Sequence, residues 1–88
     1  MARFQIVQED IDAAFESLKL TLKDRLNEKG AHSFTSLHEI LGVVAEEYTE
    51  LLSAVQSNDH DLALSELDDI AIACLWSRIS IMKGQMDW

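Results

Sequence analysis

The run Ile40-Leu41-Gly42-Val43-Val44-Ala45-Glu46-Glu47-Tyr48-Thr49-Glu50-Leu51-Leu52-Ser53-Ala54-Val55 decides how this chain folds. At ~100° per residue, Ile40, Val43, Val44, Tyr48, Leu51 and Val55 gather on one side of a helix. Glu47 falls inside that apolar sector, between Val43 and Ile40, and Glu50 lies at its edge one turn on. A carboxylate in such a sector is costly to bury without a partner. Between Ala31 and Ser77 there is no Lys or Arg to serve as one, so something else must compensate Glu47.

Working outward, Ser36-Leu37-His38-Glu39 reads as a capping box, in which Ser36 caps the Glu39 N–H and Glu39 reaches back. The helix it opens is predicted to run to about Gln56. Ser57-Asn58-Asp59 is a polar turn with an N-cap donor, and a further helix follows from about His60 to Lys83, stopped by Gly84. Upstream, Ile11, Phe15, Leu18, Leu22 and Leu26 stripe a first helix predicted from about Phe4 to Lys29. Gly30 ends it, and Lys29 sits in the last turn where a cation suits the dipole. A short turn makes neighbouring helices antiparallel. The fold class expected is therefore all-α, about three antiparallel helices in one domain over residues 1–88.

On the third helix Glu66 and Asp69 are three apart and share a face, and their row continues through Ala73, Ser77 and Ser80, small enough for another helix to approach closely. Antiparallel pairing sets Glu47 and Glu50 opposite Glu66 and Asp69. Four converging carboxylates form an oxygen cage, the donor set of a hard divalent cation, and Mg²⁺ is the economical compensation, with Mn²⁺ an alternative. Glu-x-x-His pairs of a di-iron bundle are missing. The spacing argues against zinc as well, since Cys74 is isolated and His32, His38 and His60 show no ligand spacing with it.

Composition supports this picture. The 88 residues carry 16 acids against 7 bases, a net charge of −9, and nine of the acids lie between Ala31 and Ser77. The other seven balance the seven bases, so the acidity is local to the second and third helices. A phosphate-backbone surface needs clustered cations, and an anionic membrane likewise; neither nucleic acid nor membrane is an expected partner. The apolar run Ile70–Trp76 is far short of the roughly 20 residues that span a bilayer. The Met1-Ala2-Arg3-Phe4 start meets acid before any signal-like apolar run, and the single Cys74, expected as an inert buried thiol, closes no disulfide within the chain. A cytoplasmic protein is expected. With 48% hydrophobic residues in so small a chain, apolar surface that one copy cannot cover calls for another. Ile70 to Met82 is apolar nearly all round, so a four-helix-bundle-like core built by a homo-oligomer, a dimer or a dimer of dimers, is expected.

Glu46-Glu47-Tyr48-Thr49-Glu50, a 15-residue spacer and Glu66-Leu67-Asp68-Asp69 read E-E-x-x-E followed by E-x-x-D. This pattern resembles the MazG-like family of all-α nucleoside triphosphate pyrophosphohydrolases. The resemblance covers roughly residues 33–82. It implies Glu47, Glu50, Glu66 and Asp69 as Mg²⁺ ligands and Glu46 as a residue positioning water, with Glu46 and Glu47 carrying catalysis. The implied reaction splits a (deoxy)nucleoside triphosphate between the α and β phosphates into monophosphate and pyrophosphate, a housecleaning activity. Substrate contacts would be Phe34, His38 and Trp76 against the base, and Arg78 and Lys83, with Lys29, on phosphate, reaching the site from a neighbouring subunit. The three residues against the base have simpler readings: Phe34 as a hydrophobic staple, Trp76 as oligomer core, His38 as an exposed first-turn residue. Phosphoribosyl-ATP pyrophosphatase chemistry suits the length, but the lysines around that family's first motif are missing. A catalytically silent helical oligomerisation module, holding a metal as a staple or having only a partner-binding role, is the alternative from another class.

Overall fold

The computed structural model describes residues 2–84 and 86–88 and contains three helices, α1 (Gln8–Lys29), α2 (Leu37–Gln56) and α3 (His60–Met82). The described residues form two compact units, one ending at Gly30 and the other spanning Ala31–Trp88. Among the described residues no helix is long and apolar enough to cross a membrane.

In the first unit, α1 starts at Gln8 and not near Phe4. The Asp10 carboxylate accepts the Val7 N–H at 2.9 Å, and the Asp10 N–H donates to the Val7 carbonyl at 3.0 Å. This reciprocal pair fixes Val7 as an extended N-cap and leaves Phe4, 98% exposed, outside the helix. Gly30 ends it at φ 90°, a backbone region that favours glycine. None of the α1 residues is buried.

In the second unit, α2 and α3 form the antiparallel hairpin. Ser36 Oγ accepts the Glu39 N–H at 3.1 Å, as the capping box predicts. Glu39 reaches back one residue further than expected, accepting the Thr35 N–H at 2.8 Å. The α2 end is a Schellman motif, with the Asp59 N–H donating to Ala54 O and the Asn58 N–H to Val55 O. Asn58 occupies the left-handed position, φ 56°, where Gly is commonest and Asn is tolerated. Asp59 Oδ1 then accepts the Leu62 N–H at 3.0 Å, so one residue helps close α2 and caps α3. Lys83 is the C-cap of α3, and Gly84 turns the chain away at φ 86°.

A segment with no helical signal completes the unit. Ser36 and Asp87 pair as an isolated parallel bridge. The Asp87 N–H donates to Thr35 O, while the Leu37 and His38 N–H groups donate to Asp87 O and Trp88 O at 2.8 Å each. The tail thereby satisfies two of the donors that every helix N-terminus leaves open.

The core of the hairpin is thin. Ala54, Ile72 and Ala73 are its buried apolar residues among those described, joined by Ser77 and Ser80. Both serines satisfy their hydroxyls on the preceding turn of α3, Ser77 on Ala73 O at 2.6 Å and Ser80 on Trp76 O at 2.8 Å. Leu41, Tyr48, Val55, Leu64, Leu67 and Ile81 stay exposed.

Candidate metal centre

The two motifs meet. Glu47 and Glu50 of α2 and Glu66 and Asp69 of α3 each offer a carboxylate oxygen, and these four oxygens lie within 4.8 Å of one another. The antiparallel turn and the three-residue spacing within each motif place them there: positions three apart share a helix face, and residues equally far from the turn stand opposite. A divalent ion with oxygen ligands at about 2.1–2.4 Å spans at most about 4.2–4.8 Å between opposite oxygens. The four oxygens are thus near the spacing of such a shell, and the group could hold one ion.

Glu47, Glu66 and Asp69 are half-buried and Glu50 is exposed. Glu47 Oε2 and Glu66 Oε2 are each shielded from solvent and have no hydrogen-bond partner. Burial raises the Glu47 carboxyl above its ordinary value of 4.5, and the nearby charges of Glu50, Asp69 and Glu66 push the same way. Glu66 is raised too, by burial first, then by the adjacent Glu50 and the charge of Asp69. Every influence on these two groups disfavours the carboxylate form, the condition that a bound cation reverses. The cluster can hold a metal ion.

The other residues singled out in the sequence lie elsewhere. Glu46 is exposed, one position before Glu47 and outside the group of four. Phe34 and Trp76 come together as a stacked pair, ring centroids 5.6 Å apart and planes at 18°. Trp76 is seven residues beyond Asp69, about 10 Å along α3, and its Nε1–H donates to His32 O at 2.7 Å. His38 is exposed in the first turn of α2, its main-chain N–H taken by the tail. Arg78 is exposed on the wall of an open groove of about 400 Å³, beside Ile40, Val44, Cys74 and Ile81. Lys83 is exposed at the end of α3.

Two local expectations change. Cys74 is exposed, because the apolar helix that carries it turns one face to that open groove. Ser80 does not receive a helix: its Oγ accepts the Phe34 N–H at 2.8 Å, so the segment leading into α2 crosses α3 there. The small-residue row marked the close approach, although its residue types cannot say which segment approaches. Comparison with protein-family models, curated proteins and solved structures finds no match for this chain.

Proposed function

We propose that this chain is a Mg²⁺-dependent nucleoside triphosphate pyrophosphohydrolase of the MazG-like kind. The observation that carries the reading is the convergence of both halves of the E-E-x-x-E and E-x-x-D pattern on one cluster, with two shielded carboxylate oxygens unpartnered. Glu47, Glu50, Glu66 and Asp69 are the residues that would hold the ion, Mg²⁺ or Mn²⁺. When bound, such an ion neutralises phosphate charge and lowers the pKa of water at the site. The balanced reaction adds water across the bond between the α-phosphorus and its bridging oxygen, giving nucleoside monophosphate and pyrophosphate. Exposed Glu46 faces the solvent from which that water comes, and we assign it to orienting the water. Phe34, His38 and Trp76 are assigned to the base and Arg78 and Lys83 to phosphate, the cations serving a site in another copy of the chain.

A homo-oligomer belongs to the same reading. Exposed Leu41, Tyr48, Val55, Leu64 and Leu67 leave the hairpin with more apolar surface than its buried core of Ala54, Ile72 and Ala73 can offset. A second reading, a silent module in which the ion is a structural staple, is favoured by the lack of any Lys or Arg between Ala31 and Ser77.

Pyrophosphate release from a panel of (deoxy)nucleoside triphosphates, with Mg²⁺, Mn²⁺ or EDTA, separates the two. The enzyme reading expects metal-dependent release that Glu47→Gln or Asp69→Asn reduces by at least about a hundredfold, since even outer-sphere losses at metal sites cost 10–100-fold, with the variants still folded. Absence of release from every nucleotide, with Mg²⁺ still raising the wild-type melting temperature, establishes the staple.

A further inference from the structure

The chain joins α2 to α3 directly only through the turn at Ser57-Asn58-Asp59. The carboxylates lie well away from that hinge. Glu50 and Glu66 are each seven residues from the turn, about 10 Å of helix, and Glu47 and Asp69 lie a further turn out. Four acidic groups with oxygens within 4.8 Å repel one another across the gap between the two helices. In a hairpin hinged at one end, resistance to that repulsion comes from the packing of Ala54, Ile72 and Ala73 between the helices and from whatever fastens the other end.

Two crossings fasten it. On the way into α2, the segment before Ser36 is tied to α3 three times: the Phe34 N–H donates to Ser80 Oγ at 2.8 Å, Trp76 Nε1–H donates to His32 O at 2.7 Å, and the Phe34 and Trp76 rings stack. On the way out of α3, the tail is tied to the start of α2 through Asp87 and Trp88. Ser80 is the anchor of the first crossing. It is 2% exposed, and its hydroxyl both accepts from Phe34 and donates to Trp76 O, so removing it leaves the Phe34 N–H without that acceptor at a position largely closed to water.

We infer that this double crossing is a positioning device, holding α2 and α3 closed against the mutual repulsion of Glu47, Glu50, Glu66 and Asp69 so that the cluster is assembled before a cation arrives. Ser80 and Trp76 are positioning residues that act through the helices. They stand about 16 Å and 10 Å along α3 from Asp69. The inference rests on the cation-site reading only in its metal arm, because closure against repulsion is a property of the metal-free hairpin.

The test uses spin labels at two exposed positions on the two helices, Leu41→Cys and Met82→Cys, in the full chain with Cys74→Ser. Labelled chain is diluted into unlabelled chain, so that the distances read are within one copy. In EDTA the chain with native Ser80 is expected to give one narrow distance distribution. Ser80→Ala is expected to broaden and lengthen it, and adding Glu47→Gln to Ser80→Ala is expected to narrow it again. Mg²⁺ narrows the Ser80→Ala distribution likewise, with affinity weakened roughly three- to tenfold, the factor by which the closed state is depleted. Trp76→Phe, which keeps the ring and loses the Nε1 donor, gives the same pattern in smaller measure and serves if Ser80→Ala does not fold. A distribution unchanged by Ser80→Ala and Trp76→Phe, or broadened equally with and without Glu47→Gln, overturns the inference. Failure of Mg²⁺ to bind the wild type defeats the cation reading instead, and the EDTA distributions still decide the positioning role.

Discussion

The Phe34 ring lies on the Trp76 ring at 5.6 Å with the planes only 18° apart, so the face of Trp76 toward Phe34 is already occupied. A nucleobase stacking on this pair would use an outer face and leave the pair intact. Phe34→Leu keeps an apolar side chain and loses the stack, worth about 1 kcal/mol beyond area burial. The expected result is a melting temperature lower by about 4–8 °C and a red-shifted Trp76 emission, read in a Trp88→Phe background.

The turn between α2 and α3 divides its work between two residues. Asp59 supplies the α3 cap to Leu62, and Asp59→Ala is expected to cost about 1 kcal/mol. At Asn58, φ 56° makes Asn58→Ala unfavourable by about 1 kcal/mol, whereas Asn58→Gly is expected to be neutral or slightly stabilising. Urea melts of the three variants check this, and a loss at Asn58→Gly equal to that at Asn58→Ala would refute the backbone explanation.

Metal-free stability is expected to fall as pH rises. Glu47 and Glu66 have folded-state values raised above the ordinary 4.5, so above that pH the folded chain binds more protons than the unfolded one. Their contribution is fully present below 4.5 and is lost as pH rises through the raised folded values. Melting temperatures in EDTA from about pH 5 to 8 should therefore decline. Glu47→Gln should flatten the decline, and saturating Mg²⁺ should abolish it. A decline untouched by Glu47→Gln would place its origin outside the cluster.

Cys74 reports on what covers its groove. The thiol is exposed beside Ile40, Val44 and Ile81 in the single chain. If copies associate through this face, its reaction rate with an aromatic disulfide should drop as protein concentration rises, in step with the mass seen by light scattering. A rate independent of concentration while the mass increases would put the interface on another face.

Much of the hairpin was legible in residue types. Ser36 and Glu39, Asn58 and Asp59, and Gly84 each use a side chain, or the lack of one, to satisfy or redirect a helix end, and such chemistry is written locally. The cluster was legible for a related reason: three-residue spacing on two helices joined by a short turn leaves little freedom in where Glu47, Glu50, Glu66 and Asp69 can go. The tail was not. Its bonds to Thr35, Leu37 and His38 run between main-chain atoms that every residue carries, so no side chain announces them. The start of α1 is hidden too: Phe4 and Ile6 continue an apolar pattern, while the reciprocal bonds between Val7 and Asp10 decide where the helix begins.

Ala54 and Ala73, 0% and 6% exposed, lie one turn beyond Glu50 and Asp69 respectively, buried between the two helices on either side of the cluster. Their methyl groups act as shims: they set how near the two rods come, and hence the diameter of sphere that oxygens from both can touch together. Ions differing by about 0.3 Å in their distance to oxygen, as Mg²⁺ and Ca²⁺ do, would then be sorted by two side chains that never touch them. Ala73→Val should move the preference toward the larger ion without altering a single ligand.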